Sequence, residues 1–280
     1  MEDKQFIKNF EEQVKNTIKK YKLFDKKDKI LVACSGGKDS TTTLYLLKKF
    51  GYNVQAGIID LKIGKFSDIN LNNIKNFCKE KKIKINVFDF RKEFGFSFCY
   101  IRDILKSKNI KLNSCTICGI LRRYLMNKLA RKLKFTKLAT GHNIDDEAQT
   151  ILMNQFKGNI KLSAKQGPIS GILKNKKFIP RVKPLYFSKE DDIRKYSKLM
   201  NFPVNYEPCP CSTKAYRRSI RTLIPKYEIE VNNIVESFFK ILPSLQKQYK
   251  NEKINYCIIC SEPTPGKECK TCQLIKKLKQ

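Results

Sequence analysis

The sequence has no apolar run near the roughly 20 residues that a membrane span needs. Its first 20 residues are charged throughout and carry no signal-peptide apolar region. A soluble, cytoplasmic protein with no membrane partner is expected. The sequence also lacks the Gly-x4-Gly-Lys-Ser/Thr loop of nucleoside triphosphatases and the Gly-x-Gly-x-x-Gly dinucleotide fingerprint. It has a single histidine, His142, and no convincing internal repeat. Acidic residues are scarce: 26 Asp and Glu stand against 58 Lys and Arg, a net charge of +32. A surface this basic attracts polyanions, and nucleic acid is the natural partner. No basic amphipathic segment stands out for an anionic membrane.

Other quantities permit a folded chain. There are 280 residues, enough for one large domain or one domain with a small appendage. At 41% hydrophobic the chain supports a sizeable core. Eleven cysteines in an intracellular chain point to metal or redox chemistry rather than structural disulfides.

Apolar runs and helical periodicity alternate over the first half. Strands are predicted at 29–33, 54–59, 85–90 and 137–140, and helices at 4–23, 41–50, 68–82, 100–108, 116–133 and 144–157. Alternating strands and helices make crossover units, hence an α/β fold with a doubly wound parallel sheet. Such sheets bind ligands at the carboxyl ends of their strands. Residues 158–188 hold Gly, Pro and many Lys, and read as an ordered loop or short hairpin. Helices follow at 189–200, 212–224 and 228–249. A cysteine module at 255–273 ends in a basic tail.

The first strand runs into Cys34-Ser-Gly-Gly-Lys-Asp-Ser40 and then a helix. Gly36 and Gly37 allow a sharp turn and close approach of backbone to ligand. The helix start offers free N–H groups to an anion. Ser35 and Ser40 add hydroxyls and Lys38 a charge. Asp39 is expected to cap the helix and help hold Mg²⁺. Ser-Gly-Gly-x-Asp-Ser in this setting resembles the pyrophosphate loop of the PP-loop ATPases, with their adenine nucleotide alpha hydrolase-like fold. Those enzymes cleave ATP between its α and β phosphates and adenylate an oxygen. The resemblance implies an ATP site at Ala33, Ser35, Gly36, Gly37, Lys38, Asp39, Ser40, Asp60, Gly141 and Asp146. Gly57-Ile-Ile-Asp60 stands where the family touches adenosine, and Thr140-Gly-His-Asn-Ile-Asp-Asp-Glu147 where it closes over the nucleotide. For Asp145 and Asp146 simple helix capping is the alternative. His142 is expected to shape the site.

Cys115-Thr-Ile-Cys118 alone is ambiguous between zinc, an iron–sulfur cluster and a redox pair. With the Gly-Ile-Leu-Arg-Arg123 that follows, it resembles the Cys-x-x-Cys-Gly-x-x-Arg-Arg of PP-loop tRNA thiolases. There two cysteines and a distant third hold a catalytic [4Fe–4S] cluster. The implied third is Cys209, in Glu207-Pro-Cys209-Pro. The competing reading has Cys115 and Cys118 carry a persulfide and a disulfide. Cys211 departs from the family pattern and is open as fourth ligand, sulfur relay or bystander. Lys38, Asp39, Asp60 and Asp146 complete the expected catalytic set.

Cys257-Ile-Ile-Cys260 and Cys269-Lys-Thr-Cys272, around a Pro/Gly spacer, fit tetrahedral Zn²⁺. So small a module takes its folding energy from the metal. Arg217, Arg218 and Arg221 lie at helical spacing and are candidate tRNA contacts. Residues 1–25 are assigned to an N-terminal helix and 26–200 to the ATPase domain. Residues 201–250 form a helical tRNA-facing segment, and 251–280 the zinc module and tail.

The resemblance spans about residues 25–273. It is nearest to archaeal and eukaryotic cytosolic tRNA 2-thiouridine synthetases, then to thermophile T-loop relatives. It implies a homodimeric sulfurtransferase that adenylates a uridine 2-oxygen, favouring the wobble position. Its sulfur would come from sulfide or a ubiquitin-like thiocarboxylate carrier. A 2-thiocytidine synthetase and a non-catalytic tRNA-binding paralogue are the rivals; the terminal cysteine module and the intact loop speak against them. These families usually begin with a Cys/His zinc finger, whereas residues 1–33 hold neither Cys nor His.

Overall fold

The computed structural model describes residues 1–280 except 172–174, 213–215, 252 and 280. After α1 (Glu2–Lys20), β1 (Lys29–Cys34) leads into α2 (Lys38–Lys49). Next come β2 (Asn53–Asp60), α3 (Gly64–Glu80), β3 (Ile85–Asp89), α4 (Phe90–Phe94), α5 (Phe98–Ser107) and α6 (Ser114–Lys132). β4 (Lys137–Ala139), α7 (Ile144–Phe156) and α8 (Ile160–Ser163) follow. A hairpin of β5 (Ile169–Ser170) and β6 (Arg181–Val182) then precedes α9 (Glu190–Leu199). A 3-10 turn (Pro210–Ser212), α10 (Tyr216–Lys226) and α11 (Val231–Tyr249) come next. The chain closes with β7 (Asn255–Tyr256), β8 (Pro263–Thr264) and α12 (Lys270–Lys279).

The main sheet has the order β3-β2-β1-β4-β6-β5 and is parallel except for β5. The strand order reverses around β1, between β2 and β4, which is where a parallel sheet opens a crevice for ligand. β1 shows why both faces must be covered. Ile30, Val32 and Cys34 point into one core, with α1, α2 and α9, while Leu31 points into the other, with α5 and α6. A third cluster joins α7 to α11 through Ile144, Ala148, Ile151 and Phe238.

Three details depart from the expected pattern. α2 begins at Lys38, directly after the glycine loop rather than at 41. The loosely patterned 158–188 segment contributes β6 to the main sheet, beside β4. Asp89 accepts from the amides of Arg91 and Lys92, so the predicted strand 85–90 ends there and a short helix starts at Phe90. Residues 213–215, at the start of the predicted helix 212–224, lie outside the described residues. Among the described residues no helix is long and apolar enough to cross a membrane.

Candidate active site

A cleft of about 780 Å³ opens at the carboxyl ends of the strands. The phosphate loop forms its floor. Gly36 has φ +80°, and a Cβ there would lie 2.6 Å from the Asn70 Cβ on α3. Only glycine fits a loop pressed this hard on a helix. The Ser35 amide donates to Ser40 Oγ (3.1 Å), and that hydroxyl donates to the Gly37 carbonyl (3.2 Å). No side chain caps α2, so its leading amides stay available to an anion. Gly36→Ala is expected to cost about 1–3 kcal/mol through its left-handed backbone alone. It should also weaken an ATP analogue more than tenfold; urea unfolding and calorimetric titration would check the two effects.

The predicted cap by Asp39 is not formed. Its carboxylate instead takes the Lys38 ammonium (3.1 Å) and the Asn143 side-chain amide (3.2 Å). Burial raises the Asp39 pKa against the pull of Lys38. Lys38 also pairs with Glu190 at 3.1 Å, and Arg221 donates to both Glu190 oxygens at 2.8 Å. Glu190 thus ties the loop lysine to α10. The Glu190 amide in turn donates to Asp145 (2.7 Å).

The second loop, Thr140–Asn143, presses on the first. A Cβ at Gly141 would lie 2.7 Å from the backbone of Asp39 and Ser40. Asn143, not Asp145 or Asp146, caps α7, accepting from the Asp146 amide at 2.9 Å. Asp146 lines the cleft and takes Arg217 at 3.4 Å. Asp60, at the end of β2, is buried, accepts from the Lys62 amide (3.0 Å) and pairs with Lys62 Nζ (2.7 Å). Ala33, half-buried, sits opposite Gly57 in the β1–β2 register.

His142 has an edge open to solvent but stands in a concave, cation-lined corner. Burial, then Lys183, Arg217, Arg181 and Arg123, push its imidazole down to about 3, so the ring is neutral. Beside it Lys183 and Glu147 form a buried ion pair at 2.6 Å. Losing either partner alone strands a buried charge. Lys183→Met or Glu147→Ala is expected to lower stability by about 3–5 kcal/mol. The Lys183→Met/Glu147→Gln double variant should recover most of it, as denaturant midpoints would report.

Cys115 and Cys118 stand on the first turn of α6, which Asn113 caps (2.8 Å to the Thr116 amide). Cys209 arrives from just before the 3-10 turn. All three line the cleft that also holds Lys38, Asp39 and Asp146. Burial raises the Cys118 thiol, and Arg122 beside it opposes this. Cys211 stands beside Cys209 and also meets α5, 3.4 Å from Arg102 Nη1. Cys34, next to the loop, is fully buried, and burial drives its thiol far above the usual range: a packing residue.

At the C-terminus the sulfurs of Cys257, Cys260, Cys269 and Cys272 all lie within 4.8 Å of one another. That spacing suits one tetrahedral ion. The predicted RNA contacts Arg217, Arg218 and Arg221 all line the cleft. Arg221 is held by Glu190. Arg217 is tied to α7 through the Asp146 carbonyl (3.0 Å), Gln149 (3.2 Å) and Thr150 (2.8 Å).

A PP-loop domain family matches residues 6–227. The tRNA-5-methyluridine(54) 2-sulfurtransferase of Pyrococcus horikoshii is 33% identical over 97% of this chain and 86% of its own. Cytoplasmic tRNA 2-thiolation protein 1 of Caenorhabditis elegans is 31% identical over 98% and 74%. The chain belongs to the PP-loop tRNA 2-thiolation sulfurtransferases. Among solved structures, the U34-tRNA thiolase NcsA of Methanococcus maripaludis, with its [4Fe–4S] cluster, superposes with a TM-score of 0.80. It is 26% identical over 99% of this chain and 89% of that one.

For a member of this thiolase family the cysteine donor set is chemically apt. Three thiols from two elements meet at one wall of the nucleotide cleft. Among the described residues only the C-terminal quartet has single-ion spacing; Cys115, Cys118 and Cys209 offer the cleft three thiol donors, the ligand type that iron–sulfur clusters take. Glu190 has no sequence signature, and Asn143 was legible only as part of the Thr140–Glu147 stretch, with no role of its own. Glu190 opens an acidic helix start, Glu190-Asp191-Asp192, and reads as a helix-dipole partner. Asn143 reads as a turn residue.

Proposed function

We propose that this sulfurtransferase performs ATP-dependent 2-thiolation of a tRNA uridine, with the wobble uridine as target. The observation that carries the proposal is the meeting of the phosphate loop with Cys115, Cys118 and Cys209 in one cleft. Adenylation and sulfur insertion then share one reaction centre. ATP would lie on residues 35–40 with its adenosine near Asp60, and Asp39 and Asp146 would hold Mg²⁺. The uracil 2-oxygen attacks the α-phosphorus, and pyrophosphate leaves along the α2 amides and Lys38. The adenylated oxygen departs as AMP when sulfide attacks C2. A [4Fe–4S] cluster on Cys115, Cys118 and Cys209 would supply, when bound, an iron able to hold sulfide. The thiols of the C-terminal quartet would hold Zn²⁺ as a structural ion.

On this reading residues 26–200 form the ATPase domain and 201–250 a tRNA-facing segment that completes the site. Residues 1–25 are a packing helix and 251–280 the zinc module. The enzyme acts in the cytoplasm as a homodimer. Its donor is sulfide or a ubiquitin-like thiocarboxylate carrier. The T-loop uridine is the second reading, supported by the identity to the Pyrococcus horikoshii enzyme. The test is anaerobic protein with restored cluster, ATP, Mg²⁺, sulfide and unmodified tRNA, followed by mass spectrometry of digests. Wobble 2-thiouridine formed only with ATP is the expected result. Modification confined to the T-loop would overturn the position, and ATP consumption with no thionucleoside would overturn the function.

A further inference from the structure

Behind the cleft stands a group of cations without acidic partners. Arg123 projects from α6 and Arg181 from β6. Val182 enters the core on one face of the sheet, so alternation turns Arg181 to the other face, the one that α6 covers. The Ile179 amide, two residues before Arg181, donates to the Asn127 side chain (3.0 Å), one turn along α6 from Arg123, which brings the two guanidiniums into one neighbourhood with His142. The nearest carboxylates are already engaged, Glu147 by Lys183 and Asp146 by Arg217. Neither Arg123 nor Arg181 has a carboxylate partner among the described residues.

The group is also built. Arg123 lies back along its own helix, over Gly119. A Cβ at Gly119 would stand 2.9 Å from Arg123 Nη1. Any larger residue would push the guanidinium aside. A glycine in a helix interior costs about 1 kcal/mol against alanine, and here it makes room for an unpaired charge. The one opposing charge beside Arg123 is the Cys118 thiol; two like charges held together without a carboxylate repel, and a ligand anion relieves that repulsion.

We propose that Arg123 and Arg181 form an anion site that grips a backbone phosphate of the tRNA strand beside the target uridine. This rests on the tRNA reading above. ATP does not need the site, because its phosphates have the loop at residues 35–40. Two planar guanidinium forks match a phosphodiester. A nucleotide anchored there, close to Cys118, would present its base towards the cleft.

The test is tRNA binding by the full chain from 50 to 200 mM salt, with unmodified tRNA as the probe. Arg123→Gln and Arg181→Gln are each expected to weaken binding about tenfold, and to lower the salt slope by about 0.7–0.9, one phosphate's share. Arg181→Lys should restore the slope but not the full affinity, since a point charge replaces a fork. Affinity for an ATP analogue and the melting temperature should stay near wild type, which separates lost contact from lost fold. Unchanged affinity and slope in both glutamine variants would overturn the site. So would variants that bind tRNA normally and thiolate with free sulfide but fail with a thiocarboxylate carrier, which would assign the pair to the sulfur donor. A wild-type chain that does not bind tRNA would overturn the parent reading, a failure visible without any variant.

Discussion

Cys118→Ser is expected to lower 2-thiouridine formation more than 100-fold while ATP-dependent pyrophosphate release falls less than threefold. Cys118 stands on the first turn of α6 and lines the same cleft as the phosphate loop. Serine keeps the shape and loses the soft ligand atom. Changes merely next to metal ligands cost 10–100-fold, so loss of a ligand should exceed that range. On the proposed reading the phosphates would meet Ser35, Gly37, Lys38 and Ser40 rather than the cysteine, so the first half-reaction should persist. Mass spectrometry of digested tRNA and a pyrophosphate assay on the same sample would read both halves. Equal loss of both would mean that Cys118 holds the cleft together rather than the sulfur chemistry. Retained thiolation would remove the cysteine triad from the mechanism.

The second large effect belongs to the other cysteines. On the zinc reading, Cys269→Ser should abolish metal binding at the quartet and lower the melting temperature by roughly 6–24 °C. The quartet holds the chain that leads into α12, whose Leu274 and Leu278 are buried against α5 and α6. Exposing two leucines costs about 3–6 kcal/mol, and each kcal/mol is worth about 2–4 °C in a chain of this size. Glu262, within the module, is bound by Arg131 and by Asn127 on α6. The unfolding is therefore expected to reach α6 and the Cys115–Cys118 turn. Metal content and calorimetry on the same preparations would check this, with chelation as a second route. A variant that melts within 2 °C of wild type would show that α12 docks without the ion.

The contrast between what was and was not legible in the sequence follows from the range of the interactions. Alternating elements around Lys29–Cys34 and Asn53–Asp60 were visible, because burial on both faces forces apolar runs. The glycine loop, the two cysteine pairs and the terminal quartet were visible, because their chemistry restricts residue type at fixed spacing. Glu190 was not visible. Its role comes from meeting Lys38 and Arg221, at sequence separations of 152 and 31. Nothing in Glu190-Asp191-Asp192 distinguishes the first acid from its neighbours. Asp39 failed as a helix cap for a related reason. The cap position falls on Gly37, and the aspartate faces Asn143 from a distant loop. The hairpin at 169–182 was legible only as one of two options, an ordered loop or a short hairpin, because two residues per strand are too few to show a period.

The cleft also has a history in time. Its walls come from β1, near residue 35, and from the turn that carries Cys209. A ribosome adds about 5–20 residues per second, so the phosphate loop emerges roughly 10–30 s before the last wall exists. Cys115 and Cys118 wait in the nascent chain for a third thiol made late. On the proposed reading, cluster delivery would be a step for the nearly finished chain. A chain truncated just before residue 209 would keep the nucleotide loop, Cys115 and Cys118 and lack their third partner.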